Sequence, residues 1–170
     1  MIKVDFYFRW ISDITAMRDI QISFILSSTR SGSTLLSRIL NSHPEIACPF
    51  EFMIPYLLPP FHWKRRQAKS KLRRIIDHYK IPLPKIWLWF GIPLHKYLDQ
   101  VVHKICRQEG KKIFIAKDPY YARILEKMLL NFPNSKYIVL MRHPLKVAQS
   151  LQDAWGNEKG LKFWAMCHVA

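Results

Sequence analysis

Three short apolar runs alternate with segments of helical periodicity along most of this chain. The runs are Ile22–Ser27, Ile113–Ala116 and Lys136–Met141, and each is rich in residues that favour β-strands. Short apolar strands that alternate with helices are typical of a parallel sheet covered by helices on both faces. The sequence therefore predicts an α/β domain with three αβα layers around a central parallel sheet.

Capping and turn residues indicate where the predicted helices begin and end. One helix follows the first strand and ends near Asn41, and another runs from Leu94 to Gly110, a glycine suited to a helix C terminus. Asp118-Pro119 reads as an N-cap followed by proline at the first helical position, which predicts a helix that stops before Phe132. Pro144 begins the next predicted helix.

The 170-residue length is typical of one domain. We divide it into an N-terminal extension, residues 1–21, and a domain over residues 22–170 with an inserted helical or lid segment at about 53–93. Apolar residues alternate from Ile2 to Trp10, a pattern of an edge strand or of sequence upstream of the true start. The chain ends inside a predicted helix, Leu161–Ala170, so we expect the domain to be incomplete at its C terminus.

A formal charge of +15 makes an anion the expected partner: nucleic acid, a membrane surface, or a phosphorylated or sulfated small molecule. Basic residues concentrate between Lys64 and Lys80, where the apolar positions have helical spacing. A solvated helix face explains this segment best, and peripheral membrane contact is the alternative. Since no RRM, KH or zinc-finger pattern is present, we do not expect dedicated nucleic-acid binding.

Other sequence features exclude several classes of protein. The longest apolar run, 81–94, is interrupted by three prolines, a lysine and a glycine, which disfavours a transmembrane span. Charged residues interrupt the first twenty positions, so a cleaved signal is not expected. Cys48, Cys106 and Cys167 have neither disulfide-framework nor zinc spacing, and no acidic cluster suggests a metal. We therefore expect a cytoplasmic, metal-free protein with reduced thiols.

The loop at 27–34, Ser-Ser-Thr-Arg-Ser-Gly-Ser-Thr, lies between the first predicted strand and helix. Such a loop turns backbone N–H groups and the positive end of the helix toward one point, which predicts a P-loop-type anion site. Ser27 and Ser33 stand where the nucleoside-triphosphatase pattern GxxxxGK[ST] has its first glycine and its lysine. The missing lysine disfavours a kinase. Arg30, inside the loop, can instead bind two oxygens of a sulfate or phosphate.

Three separated motifs resemble the sulfotransferases that use 3′-phosphoadenosine 5′-phosphosulfate (PAPS). They are RSGSTLL at 30–36, HPEIACPFE at 43–51, and AKDPYY with FPNSKYIVLMRHPLKVAQSL between 116 and 151. Their order and spacing are most similar to the tyrosylprotein sulfotransferase branch and its bacterial relatives. The resemblance implies sulfuryl transfer from PAPS to a hydroxyl or amine of an acceptor, with no metal.

The resemblance also implies roles for individual residues. The residues matching the loop that holds the 5′-phosphosulfate are Arg30, Ser31, Gly32, Ser33 and Thr34. Arg142 and Ser150 match the pair that binds the 3′-phosphate, and both follow a strand end, where open α/β sheets bind ligands. Lys117 matches the lysine that contacts the transferring sulfuryl group.

Glu51 matches the candidate general base of the family. Because aromatic residues flank it, we expect an apolar setting that raises its pKa and suits it to accept a hydroxyl proton. Glu45 and His43 are alternatives, although both fit a turn better. Two other functions stay open: a P-loop-type kinase, and a catalytically inactive fragment that binds anions or a membrane surface.

Overall fold

The computed structural model describes residues 20–49, 51–53, 73–81, 94–156 and 160–168. Within them, four strands form one parallel sheet in the order β2-β3-β1-β4. The strands are β1 (Gln21–Ser27), β2 (Ile46–Ala47), β3 (Ile113–Lys117) and β4 (Lys136–Leu140). The three predicted strands are confirmed. The sequence did not predict β2, because two residues are too few to show a periodic pattern.

Helices connect the strands at nearly the predicted positions. They are α1 (Ser33–Asn41), α2 (residues 73–78), α3 (Leu94–Glu109), α4 (Leu125–Asn131), α5 (Pro144–Trp155) and α6 (Gly160–His168). Gly110 follows α3 with a φ of 66°, the left-handed conformation that ends helices and that glycine adopts without strain. Pro144 stands in the first turn of α5, as predicted.

The predicted helix start at Asp118 is wrong by several residues. A 3-10 turn, Tyr121–Ile124, precedes α4, and no α-helix begins at Asp118. Asp118 instead accepts a hydrogen bond from the Tyr120 N–H at 2.9 Å, and its carbonyl accepts one from Tyr121. This tighter turn buries the Tyr121 ring completely, which explains why the chain departs from a regular helix here.

Alternate residues of β1 face opposite sides of the sheet. Phe24 and Leu26 join the larger core cluster, which includes α3 and the 3-10 turn, whereas Ile25 packs with Ile115 beneath α1. Both faces are thus covered, and the predicted three-layer α/β architecture is confirmed. The coverage is thinner at β4, where Val139 is 61% exposed.

Two predicted segments lie mostly or wholly outside the described residues. They are the N-terminal extension, with its alternating pattern, and the inserted segment at 53–93. In the described part of the insert, Ile75 and Ile76 of α2 are buried and the charged side chains are exposed, as the helical spacing predicts. The domain bounds and the membrane contact of the basic segment stay predictions.

Two further findings bear on the expected class of protein. All three cysteines, Cys48, Cys106 and Cys167, are buried and free. Among the helices in the described residues, none combines the length and apolar character needed to cross a bilayer.

Candidate functional site

The loop between β1 and α1 contains two residues with left-handed backbones. Arg30 has a φ of 65° and Gly32 a φ of 94°. A Cβ atom on Gly32 would meet nothing within 4 Å, so the glycine is needed for its backbone conformation and not for space. No side chain caps the N terminus of α1. Its first N–H groups are therefore suited to an anion.

Lys117 ends β3 directly beside this loop. Its side chain is only 2% exposed, and its Nζ donates to Thr34 Oγ1 at 3.2 Å and lies 4.0 Å from Glu51 Oε1. A buried ammonium needs polar partners, because burial removes its hydration. Lys117 is thus a buried ammonium held next to the helix N terminus. It is not an exposed lysine of the kind that often follows a buried strand.

Glu51 is held by its neighbour in the chain. The Phe52 N–H donates to the Lys117 carbonyl at 2.8 Å, and the buried hydroxyl of Tyr121 donates to the Phe52 carbonyl. Glu51 has a φ of 37°, a conformation that favours glycine and that the surrounding contacts must maintain. The expected apolar setting is wrong: the side chain is 23% exposed and its neighbour is the Lys117 ammonium. Among the described neighbours in the chain, Phe52 and Met53 are buried.

Arg142 follows β4 and reaches back to the first loop. Its Nη1 donates to the Arg30 carbonyl at 2.8 Å, and the indole Nε1 of Trp164 donates to the Arg142 carbonyl at 2.9 Å. The Arg30 side chain contacts α5, where its Nε donates to Ser150 Oγ at 3.0 Å. The first loop is therefore tied to the segment after β4 through the Arg142 side chain and to the middle of α5 through the Arg30 side chain.

These residues line one cleft of about 310 Å³. The parallel register brings the C-terminal ends of β1, β3 and β4 to one edge of the sheet, which is why residues far apart in sequence meet there. The lining residues are Thr29, Arg30, Gly32, Ser33, Thr34, Glu51, Lys117, Pro119, Arg142 and Ser150. Of the predicted site residues, only Ser31 is not among them; its hydroxyl lies 2.6 Å from that of Ser28, in the interior.

A second, larger cleft of about 800 Å³ meets the first at Glu51. Helices α1, α2 and α3 contribute Arg38, Arg74 and Glu109 to its lining. In this lining the Tyr79 hydroxyl donates to Glu109 at 2.5 Å, and burial, together with this bond, raises the pKa of Tyr79. Cys48 also lines this cleft. Burial raises its thiol pKa to about 12, so the thiol is protonated at neutral pH.

The two alternative bases occupy a turn. The Glu45 N–H donates to His43 Nδ1 at 3.2 Å, and the Glu45 carbonyl accepts the N–H groups of Lys112 and Ile113. Neither residue lines the two clefts, as expected for turn residues. Sequence reasoning missed Thr29 and Pro119, which adjoin predicted site residues, and Trp164, which no motif indicated.

The donor set of the smaller cleft suits an anion with two charged ends. It supplies an ammonium, two guanidinium groups, hydroxyls and the helix N terminus, and among the described residues that line it Glu51 is the one carboxylate. In the part of the chain that the structure describes, no group of three or more His, Cys, Asp or Glu side chains is arranged to hold a metal ion. The geometry therefore fits binding of a phosphate- or sulfate-bearing molecule.

The chain is similar to known proteins of one family. Residues 23–164 match the model of the Sulfotransferase family. Nodulation protein NoeE of Sinorhizobium fredii is 28% identical over 145 residues, covering 79% of this chain and 32% of the relative. Protein-tyrosine sulfotransferase 1 of Mus musculus is 28% identical over 129 residues, covering 75% of this chain and 33% of the relative. The chain thus spans about a third of the length of these relatives.

Solved structures with a similar fold are also sulfotransferase domains. The domain from the Synechococcus PCC 7002 olefin synthase superposes with a TM-score of 0.61 at 26% identity, covering 87% of this chain and 58% of that one. The domain from the curacin biosynthetic pathway gives a TM-score of 0.61 at 28% identity, covering 86% and 59%.

Proposed function

The chain belongs to the sulfotransferase family, and from this premise we propose that it transfers a sulfuryl group from PAPS to a hydroxyl or amine of an acceptor. In this proposal PAPS occupies the smaller cleft and the acceptor enters by the larger one. Glu51 borders both clefts, so the acceptor would meet the donor beside this carboxylate.

One observation carries the proposal: Arg30, Lys117 and Arg142, from three strand ends, line one cleft next to an uncapped helix N terminus. PAPS carries negative charge at two separated positions, the 5′-phosphosulfate and the 3′-phosphate. The loop and Lys117 would bind the first, and Arg142 with Ser150 would bind the second. Hydrogen bonds between charged partners are the strong ones, which suits recognition of a multiply charged nucleotide.

Glu51 would act as the general base. Its carboxylate takes the proton of the acceptor hydroxyl while the acceptor oxygen forms a bond to sulfur. The bond between sulfur and the bridging oxygen breaks, and its electron pair leaves with adenosine 3′,5′-bisphosphate (PAP). A positioned base of this kind contributes about 10²–10⁴-fold to a rate.

Lys117 would stabilise the charge that develops on the bridging and sulfuryl oxygens. Its ammonium is buried and already hydrogen-bonded to Thr34, so little reorganisation accompanies the reaction. A preorganised donor in such a setting is worth about 3–4 kcal/mol of transition-state stabilisation.

The kinase alternative is not favoured, because the family match and the similar solved structures indicate a sulfotransferase and because Ser33 replaces the loop lysine. The inactive anion-binding alternative differs from the proposal in turnover alone. Measurements of binding and transfer therefore separate all three functions.

Titration calorimetry with PAP and with ATP plus Mg²⁺ tests the donor. We expect the chain to bind PAP and not ATP, and Arg142→Ala to weaken PAP binding at least ten-fold, since a charged hydrogen bond is worth about 1.5–3 kcal/mol. Transfer from labelled PAPS to a panel of hydroxyl and amine acceptors then tests activity. ATP binding with no affinity for PAP would overturn the proposal, and equal PAP binding by Arg142→Ala would overturn the 3′-phosphate assignment.

A further inference from the structure

Arg142 is fixed at both of its ends. Its guanidinium donates to the Arg30 carbonyl at 2.8 Å, and its own carbonyl accepts the indole N–H of Trp164 at 2.9 Å. Trp164 comes from α6, which packs against α5 and against the 3-10 turn after β3. The last described helix thus reaches the edge of the sheet where the smaller cleft lies.

We propose that Trp164 is a positioning residue for the 3′-phosphate subsite and that it acts through the backbone of Arg142. The inference rests on the proposed function, because it assumes that Arg142 binds the 3′-phosphate. Trp164 does not line the cleft, and its hydrogen bond to the Arg142 carbonyl is the route by which we expect it to influence a nucleotide.

The location of Arg142 explains why such support matters. The residue lies between the end of β4 and the start of α5, outside regular structure, and its side chain is exposed. An exposed arginine has many rotamers, and restricting it to one of them on binding costs conformational entropy. A hydrogen bond that fixes the peptide of Arg142 limits where its guanidinium can reach and so reduces this cost.

The bond also makes the two subsites interdependent. Arg142 holds the Arg30 carbonyl, and Arg30 has a left-handed backbone that its neighbours must maintain. A change at the Arg142 carbonyl would therefore affect the first loop as well, and the affinity for a nucleotide without a 3′-phosphate measures that part separately.

The test compares PAP with AMP, which differ by the 3′-phosphate alone. Trp164→Phe removes the N–H and keeps an aromatic ring. We expect its preference for PAP over AMP to fall about five-fold relative to the original chain, in the range of one neutral hydrogen bond, while its affinity for AMP, which reports on the first loop, falls less than its affinity for PAP. Tyr137→Phe is the matched control: it removes an aromatic donor to the Phe132 carbonyl, a bond between two residues outside the cleft lining, and should keep the preference.

A double-mutant cycle shows whether Trp164 acts through Arg142. In an Arg142→Ala background, Trp164→Phe should no longer change PAP affinity, because the side chain that it positions is gone. An additive loss in the double variant would overturn the inference. So would a Trp164→Phe chain that keeps the full preference for PAP, or one that loses PAP and AMP affinity equally.

A second measurement decides the question if Trp164→Phe does not fold. The original chain is labelled with ¹⁵N-tryptophan and its indole N–H resonances are recorded with PAP and with AMP. A resonance that shifts with PAP and not with AMP would support the role of Trp164, whereas the absence of any such shift would overturn it. The proposed function fails separately: in that case the original chain shows no affinity for PAP at all.

Discussion

Glu51 and Lys117 form the central pair of the site, 4.0 Å apart between carboxylate and ammonium. They differ in exposure, since Lys117 is 2% exposed and Glu51 23%. The buried cation is held in one place, while the carboxylate at the meeting point of the two clefts is accessible. This difference matches their proposed roles, charge stabilisation for Lys117 and proton transfer for Glu51.

Glu51→Gln should leave PAP affinity within about two-fold and lower the rate of sulfuryl transfer by about 10²–10⁴-fold, because the amide keeps the shape of the carboxylate and cannot take a proton. Calorimetry with PAP and transfer from labelled PAPS measure the two effects.

Glu45→Gln is the control for that variant. Glu45 is the other candidate base, but its carboxylate lies 3.6 Å from Lys112 at the surface and its structural contacts come from its backbone. Both PAP binding and transfer should be unchanged. A transfer rate that falls with Glu45→Gln and survives Glu51→Gln would reverse the assignment.

Most residues that line the smaller cleft were predictable from sequence, but their contacts were not. The motifs contain Arg30 and Ser150, which stand 120 positions apart, yet the hydrogen bond between their side chains depends on the turn of the loop and on the placement of α5. Trp164 lies outside every motif. Its contact is a hydrogen bond to the backbone carbonyl of Arg142, and a bond to a backbone group requires no particular spacing in the sequence.

At the scale of elements, the end of β3 anchors the segment that carries Glu51. Lys117 gives its carbonyl to the Phe52 N–H, and the 3-10 turn that follows places the Tyr121 hydroxyl on the Phe52 carbonyl. One strand end and one turn therefore fix both backbone groups of Phe52. The proposed base is thus positioned by elements that are distant in sequence.

Tyr121→Phe should lower the free energy of unfolding by about 1–3 kcal/mol, because it leaves the buried Phe52 carbonyl without its donor. Urea denaturation followed by circular dichroism measures the change. The same substitution at Tyr137, whose hydroxyl bond is longer at 3.3 Å and only partly buried, should cost less than half as much. If both variants lost the same free energy of unfolding, the Tyr121 hydroxyl would not stabilise the segment that carries Glu51.

The elements also show which local signals are sufficient. Apolar runs and capping residues predicted β1, β3, β4 and most helices, since each spans at least a full turn or several strand residues. Strand β2 has two residues, Ile46–Ala47, and forms only because β3 lies beside it. The 3-10 turn forms because Tyr121 packs edge-on against Phe24 at 5.6 Å, a contact between distant positions.

At the scale of the whole molecule, the chain carries a formal charge of +15 and a candidate site that is itself basic. Long-range attraction of this kind acts through solvent and weakens as salt shortens its reach. The sequence predicted both the excess charge and an anionic partner. It did not predict the two adjoining clefts, because their walls come from elements that only the fold brings together.

PAP affinity should fall several-fold when ionic strength rises from about 0.01 M to about 0.15 M, as the screening length shortens from about 30 Å to about 8 Å. AMP, which carries less charge, should lose less affinity over the same range. Calorimetry at the two ionic strengths provides the comparison, and equal salt dependence for the two nucleotides would contradict a general electrostatic contribution to donor binding.

The deep position of the Lys117 side chain has a thermodynamic consequence. Its ammonium loses most of its hydration when the polypeptide folds. The dehydration cost of several kcal/mol therefore lowers the stability of the native state and does not lower the affinity for a nucleotide. The demands of the proposed reaction and of folding are therefore opposed at this position. An apolar side chain would increase the free energy of unfolding, and the same change would remove the positive charge from the site.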